Sequence, residues 1–202
     1  MKHVPMTATA ILAGVLVSGS AMADVTPIGE FTGDAFEGFE NIAPPGPFDG
    51  TVFGGQATME DEFADPVIAT NFFSGDGEVQ LFPYDGNFMG LSPTGWTTFT
   101  FDTPVTQFGG FFGQVNDFPS DAVTFFDEQG QEIDSIDFDL PVGEWTWHGW
   151  ESDVPIASIE ILAGENPTLT TVYDNLQVTF VPAPGALALL AVGACAPRRR
   201  RR

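Results

Sequence analysis

Between Asp24 and Val181 apolar residues recur at every second position over short runs, and Gly or Pro interrupts before any helical period builds up. That pattern constrains the fold most. Successive side chains of a strand point to opposite faces, so alternation marks half-buried strands. Phe99 and Phe101 fall on one face of Thr97–Phe101, and Asp134–Leu140 alternates acid with Ile136, Phe138 and Leu140. Ile159 and Ile161 flank Glu160, while Val172, Leu176, Val178 and Phe180 share a parity with Asp174. Asp127–Gln131 reads as a hairpin loop with Gly130 at positive φ.

About ten strands are expected: Phe31–Glu40, Thr51–Met59, Val67–Asn71, Glu78–Phe82, Gly95–Asp102, Val105–Asn116, Ala122–Asp127, Glu132–Phe138, Trp145–Trp150 with Ile156–Leu162, and Thr170–Val181. Ala43–Pro47 and Asp85–Thr94 read as loops. Such spacing predicts an all-β, antiparallel β-sandwich of the jelly-roll type in one domain, residues 24–180. It is flanked by an N-terminal signal helix and a short C-terminal apolar helix.

Charge is distributed as unevenly as hydrophobicity. The chain has 28 Asp and Glu against 6 Lys and Arg. The basic residues are Lys2 and Arg198 to Arg202, and every acid lies between Asp24 and Asp174. A body without Lys or Arg lacks the means to neutralise phosphates, which excludes nucleic-acid partners. The single cysteine, Cys195, excludes a disulfide framework and a Cys-rich zinc site. Self-repulsion in so acidic a body points to a saline or cation-rich exterior, or to bound calcium.

The ends read as addresses. Lys2, the apolar run Ala8–Val17 and the small-residue stretch to Ala23 make a signal peptide over residues 1–23. Ala21 and Ala23 form the A-x-A pattern read by signal peptidase. At the other end an apolar stretch, 185–197, precedes five arginines, 198–202. Clustered Arg holds the far end of such a segment in the cytoplasm, so both ends agree on an exported body. The 12 apolar residues from Gly185 to Ala196 are short for a permanent span, which needs ~20. A transient membrane association during sorting is expected; a simple tail anchor is the other reading.

Residues 181–202 resemble the bacterial PEP-CTERM sorting signal in the order of their parts: Pro182-Ala183-Pro184, apolar helix, and Arg198, Arg199, Arg200, Arg201 and Arg202. Ala183 stands where the family name implies Glu. The resemblance implies export to the cell envelope or beyond, the C-terminus initially cytoplasmic, and processing by an exosortase-type enzyme.

Within the body, Phe36–Phe39 and Tyr173–Val178 resemble the terminal strands of jelly-roll, carbohydrate-binding-module-like ectodomains. That resemblance implies a structural calcium shared by Asp174 with Glu37 or Glu40. By alternation Asp174 points toward the core edge with Leu176, and a carboxylate there needs a partner; a solvated turn residue at the strand start is the alternative. Trp145 and Trp147 lie two apart, hence on one strand face, and Gly149 is placed to re-aim Trp150 as a bulge. The three rings are therefore either core or a glycan platform. His148, the one histidine of the body, receives no role. No Gly-x-Ser-x-Gly elbow occurs, and adjacent acids discriminate nothing among 28. The function expected is a structural or binding protein of the cell surface or matrix, without catalysis. The alternatives are a calcium-dependent carbohydrate-binding module acting on extracellular polysaccharide and, behind it, a glycoside hydrolase.

Overall fold

The computed structural model describes residues 24–42, 46–48, 50–62, 67–74, 77–92, 95–115, 121–162 and 171–182. The signal segment with Ala21 and Ala23, the apolar stretch 185–197, Ala183, Pro184 and Arg198 to Arg202 lie outside them. Pro182 is described and exposed. Among the described residues no helix is long and apolar enough to cross a membrane.

The described residues form fourteen strands: β1 (Val25–Ile28), β2 (Ala35–Glu37), β3 (Gly46–Pro47), β4 (Gly50–Val52), β5 (Ala57–Asp61), β6 (Val67–Ala69), β7 (Phe72–Phe73), β8 (Gln80–Leu81), β9 (Met89–Ser92), β10 (Trp96–Gln114), β11 (Asp121–Phe126), β12 (Glu132–Phe138), β13 (Thr146–Leu162) and β14 (Thr171–Phe180). Twelve belong to one sheet, and β7 pairs only with β8. Every strand pairing is antiparallel. The all-β expectation holds.

The strands differ from the expected set for identifiable reasons. Gly95–Asp102 and Val105–Asn116 merge into β10, and the two Trp145–Leu162 segments merge into β13. Both long strands run through two layers. The first half of β10 pairs with β5 and the end of β13, whereas its second half pairs with β14 and the start of β13. At the corner the β10–β13 register jumps from Val105↔Ile156 to Gln107↔Glu151, so Ser152 to Pro155 have no partner on β10. Pro155 has no N–H for a ladder and suits such a position. Met89–Ser92, expected as loop, is a strand because it fills the edge of β14 opposite Thr171–Tyr173. The Asp127–Gln131 turn is as expected, with Gly130 at φ 71° and Asp127 Oδ1 accepting the N–H groups of Gln129 and Gln131 at 2.8 Å each.

The folded sheet closes over an aromatic core. Phe99 in one layer meets Phe108 and Tyr173 in the other, with ring centroids 6.0 and 5.7 Å apart. Phe125 meets Trp150 at 5.8 Å, and Phe138 meets Phe112 at 5.6 Å. Fully burying one such side chain contributes ~1.5–3 kcal/mol. A second, smaller apolar cluster forms on the outer side of β14, where Leu81, Met89, Leu91, Val115 and Val172 pack with half-buried Phe72 and Trp145.

Candidate functional site

The outer face of the layer built from β13, β10 and β14 carries a continuous line of rings. Trp147, Phe111 and Asp174 are successive cross-strand partners, Phe111↔Trp147 on one side and Phe111↔Asp174 on the other. Directly opposed residues of an antiparallel pair share a face. The adjacent dipeptide Phe111-Phe112 sends one ring outward and one into the core, where Phe112 is fully buried. Tyr84, from the loop after β8, stacks on Phe111 with centroids 3.5 Å apart and planes 12° apart. Trp145 meets Tyr84 edge-on at 6.3 Å and donates its indole N–H to the Phe82 carbonyl at 2.9 Å. Phe31 caps the far end, edge-on to Trp147 at 5.8 Å. Tyr84 remains 46% exposed above the row.

Glycine makes this surface possible at two facing positions. Gly109 and Gly149 are cross-strand partners. A Cβ on Gly149 would lie 3.0 Å from Trp147 Nε1, and one on Gly109 2.9 Å from Trp147 Cζ2. The indole therefore lies across bare backbone.

Three sequence expectations are corrected here. Trp150 is not part of the platform with Trp145 and Trp147: it is 2% exposed, in the core. Gly149 is no bulge, because the β10–β13 register runs unbroken from Gln107↔Glu151 to Phe112↔Thr146, leaving Trp147 and Trp150 on opposite faces. Asp174 is buried, at 0% exposure, yet it does not share a face with Leu176 and Val178. The β10–β14 register jumps from Gly109↔Gln177 to Phe111↔Asp174, and Asn175 takes φ 52° in that bulge. The bulge reverses parity, so Tyr173 joins the core and Asp174 faces outward beneath the Tyr84 loop.

The carboxylates expected to share a cation are each engaged with backbone donors. Glu37 accepts the N–H of Phe39 at 2.8 Å and of Phe53 at 2.7 Å. Glu40 accepts from Asn87 N–H, from Phe88 N–H at 2.9 Å and from the Asn87 side-chain amide at 3.2 Å. Asp174 accepts from Asn175 N–H at 2.7 Å and Asp85 N–H at 3.3 Å. Among the described residues no three His, Cys, Asp or Glu side chains converge as metal ligands. Burial pushes the Asp174 carboxyl up to about 7, against the pull of N–H donors from Asp85, Asn175 and Tyr84, and Glu40 adds repulsion. Glu40 is held below its ordinary range, first by the Asn87 N–H. His148 lies against Phe138, Phe112 and Trp150, and burial lowers its pKa.

Sequence reading missed Tyr84, Phe111 and Phe31. The Phe111-Phe112 pair within a strand was a usable signal, since period two sends one ring to each face. Tyr84 sits in a loop, where no periodicity applies.

No protein-family model and no curated protein matches this chain. Among solved structures, the enzymatically active domain of bacteriophage CBA120 tailspike protein 4 aligns at 18% identity over 62% of this chain, with TM-score 0.33. The aligned part spans only 19% of that tailspike chain. A family 6 carbohydrate-binding module aligns at 7% identity over 62% of this chain and 93% of its own, with TM-score 0.32.

Proposed function

We propose that this chain is an exported, exosortase-sorted protein of the cell surface or extracellular matrix. Its two-layer body, read as a jelly-roll-type sandwich, binds extracellular polysaccharide through the outer aromatic face and carries out no catalysis. The observation that carries the binding half is Tyr84 standing half-exposed on the Trp147–Phe111 row, flanked by Trp145. Pyranose rings offer an apolar C–H face, and rigid aromatic rings with a polar rim suit it. Asp174, the carboxyl raised to about 7, is fully buried and serves the loop above it rather than a substrate. The sorting half rests on Pro182-Ala183-Pro184, the apolar stretch and the five arginines.

Binding of the full chain to immobilised polysaccharides, with Tyr84→Ala and Trp145→Ala as variants, tests the first half. Each variant is expected to weaken binding about tenfold, the equivalent of ~1.4 kcal/mol. Unchanged affinity in both would leave a purely structural role. For sorting, intact mass of the native protein is expected to lack residues 1–23 and the arginine terminus; a retained pentaarginine end means a permanent anchor.

A further inference from the structure

A groove of about 420 Å³ opens between the segment from Phe36 to Ile42 and the turn from Thr51 to Gly55. Its walls are held by one side chain. Glu37, 8% exposed, takes the N–H groups of Phe39 and Phe53, and those two residues stand at φ 60° and 53°. Left-handed backbone is unfavourable at a non-glycine residue and persists only where surroundings enforce it. The groove is thus pre-shaped by strain on both sides. Its rim at Gly54 and Gly55 is bare: both have positive φ, and a Cβ on either would meet nothing within 4 Å.

Two of the side chains that line this groove are exposed. Phe36 is 57% exposed, beside Gln177 as cross-strand partner. Glu40 is exposed and lines the groove, and Asn87 and Phe88 fix its carboxylate. Gly86 packs so closely there that a Cβ would collide with Glu40 Oε1. Exposed Asn41 and Thr51 add polar edges. With no Lys or Arg between positions 3 and 197, the protein supplies no cation of its own to this carboxylate.

We propose that this groove is a second binding site, taking the ammonium group of an amino sugar against the Phe36 ring and the fixed Glu40 carboxylate. An aromatic face and a positioned anion both attract an ammonium ion, and the field of a body with 28 acids disfavours anionic ligands. The choice of an amino sugar over another amine rests on the polysaccharide-binding reading above.

The test is calorimetric titration of the full chain with a glucosamine oligosaccharide and with an N-acetylglucosamine oligosaccharide of equal length, at low salt and a pH where the free amine is protonated. The glucosamine oligomer is expected to bind at least tenfold more tightly. Glu40→Gln keeps Oε1 for the Asn87 and Phe88 N–H groups, loses only the bond from the Asn87 side-chain amide, and should abolish that preference while the fold is retained. Phe36→Ala should weaken glucosamine binding, and Tyr84→Ala should leave the preference intact. A preference that survives Glu40→Gln belongs to general acidity and overturns the groove assignment. Equal binding of both oligomers, lost in Tyr84→Ala, overturns this inference while sparing the outer-face reading. Binding of neither oligomer, nor of any other polysaccharide, overturns both.

Discussion

The Glu37 carboxylate accepts the N–H of Phe53 at 2.7 Å, joining two turns sixteen positions apart in sequence. Phe53 is itself 1% exposed, so this bond locks a core ring while the backbone is left-handed. Glu37→Ala strands two buried donors, each costing ~1–3 kcal/mol. A loss of about 3 kcal/mol is therefore expected in urea denaturation. Glu37→Gln, which retains one acceptor oxygen, should lose less.

Trp145 and Trp147 lie on the outer face and Trp150 in the core. Trp150→Ala empties a fully enclosed site among Phe108, Phe112, Phe125 and Phe138. It should cost ~3–5 kcal/mol. Trp145→Ala removes a half-buried ring and one hydrogen bond to Phe82, and about 1 kcal/mol is expected. Denaturant midpoints with equal losses at the two positions would contradict their assignment to opposite environments.

Asp174 gives the stability a pH slope. Its folded pKa of about 7 lies above the ordinary 3.8, so between those values the folded state keeps a proton that the unfolded state has released. Stability is greatest on the acid side of this window and falls as pH rises toward 7, by on the order of 4 kcal/mol. Asp174→Asn should flatten that fall, measured as denaturant midpoints at intervals across the window. His148 acts with the opposite sign. Burial lowers its pKa from 6.5, so acidification below that value favours the unfolded, protonated form. Replacing His148 with Phe should remove this acid-side loss.

Salt should stabilise the fold monotonically. Most proteins lose attractive ion pairs as salt rises, but positions 3–197 carry no Lys or Arg to form them. What remains among the exposed acids is repulsion, screened within ~10 Å at 0.1 M. Melting temperature is expected to climb with sodium chloride, without an intermediate minimum. A fall on adding salt would mean that attractive electrostatics dominate.

Much of the secondary structure was legible because strand alternation is local. Phe99 and Phe101 are both buried as their spacing required, and Gly130 turns where the hairpin needed it. The candidate surface was legible only in part. Trp145 and Trp147 share a face by spacing alone, whereas Tyr84 reaches Phe111 across the fold from a loop. The acid pair near the termini was legible as a neighbourhood, since Glu37 does pair with Leu176 on β14. Its chemistry was not, because the donors that occupy Glu37, Phe39 and Phe53, come from turns whose backbone angles no pattern predicts.

Composition and local periodicity suffice for an acidic, all-β body and for the alternation along each strand. Tertiary structure decided which parity is inside. The bulge at Asn175 reverses Asp174 against Leu176, and the absence of a bulge at Gly149 keeps Trp150 in the core. The corner at Ser152–Pro155 carries β13 from one layer to the other. Bulges are set by register against a partner strand distant in the chain, so parity is a property of the pairing. A period of two fixes which residues agree with one another, and only the folded sheet fixes which way they all face.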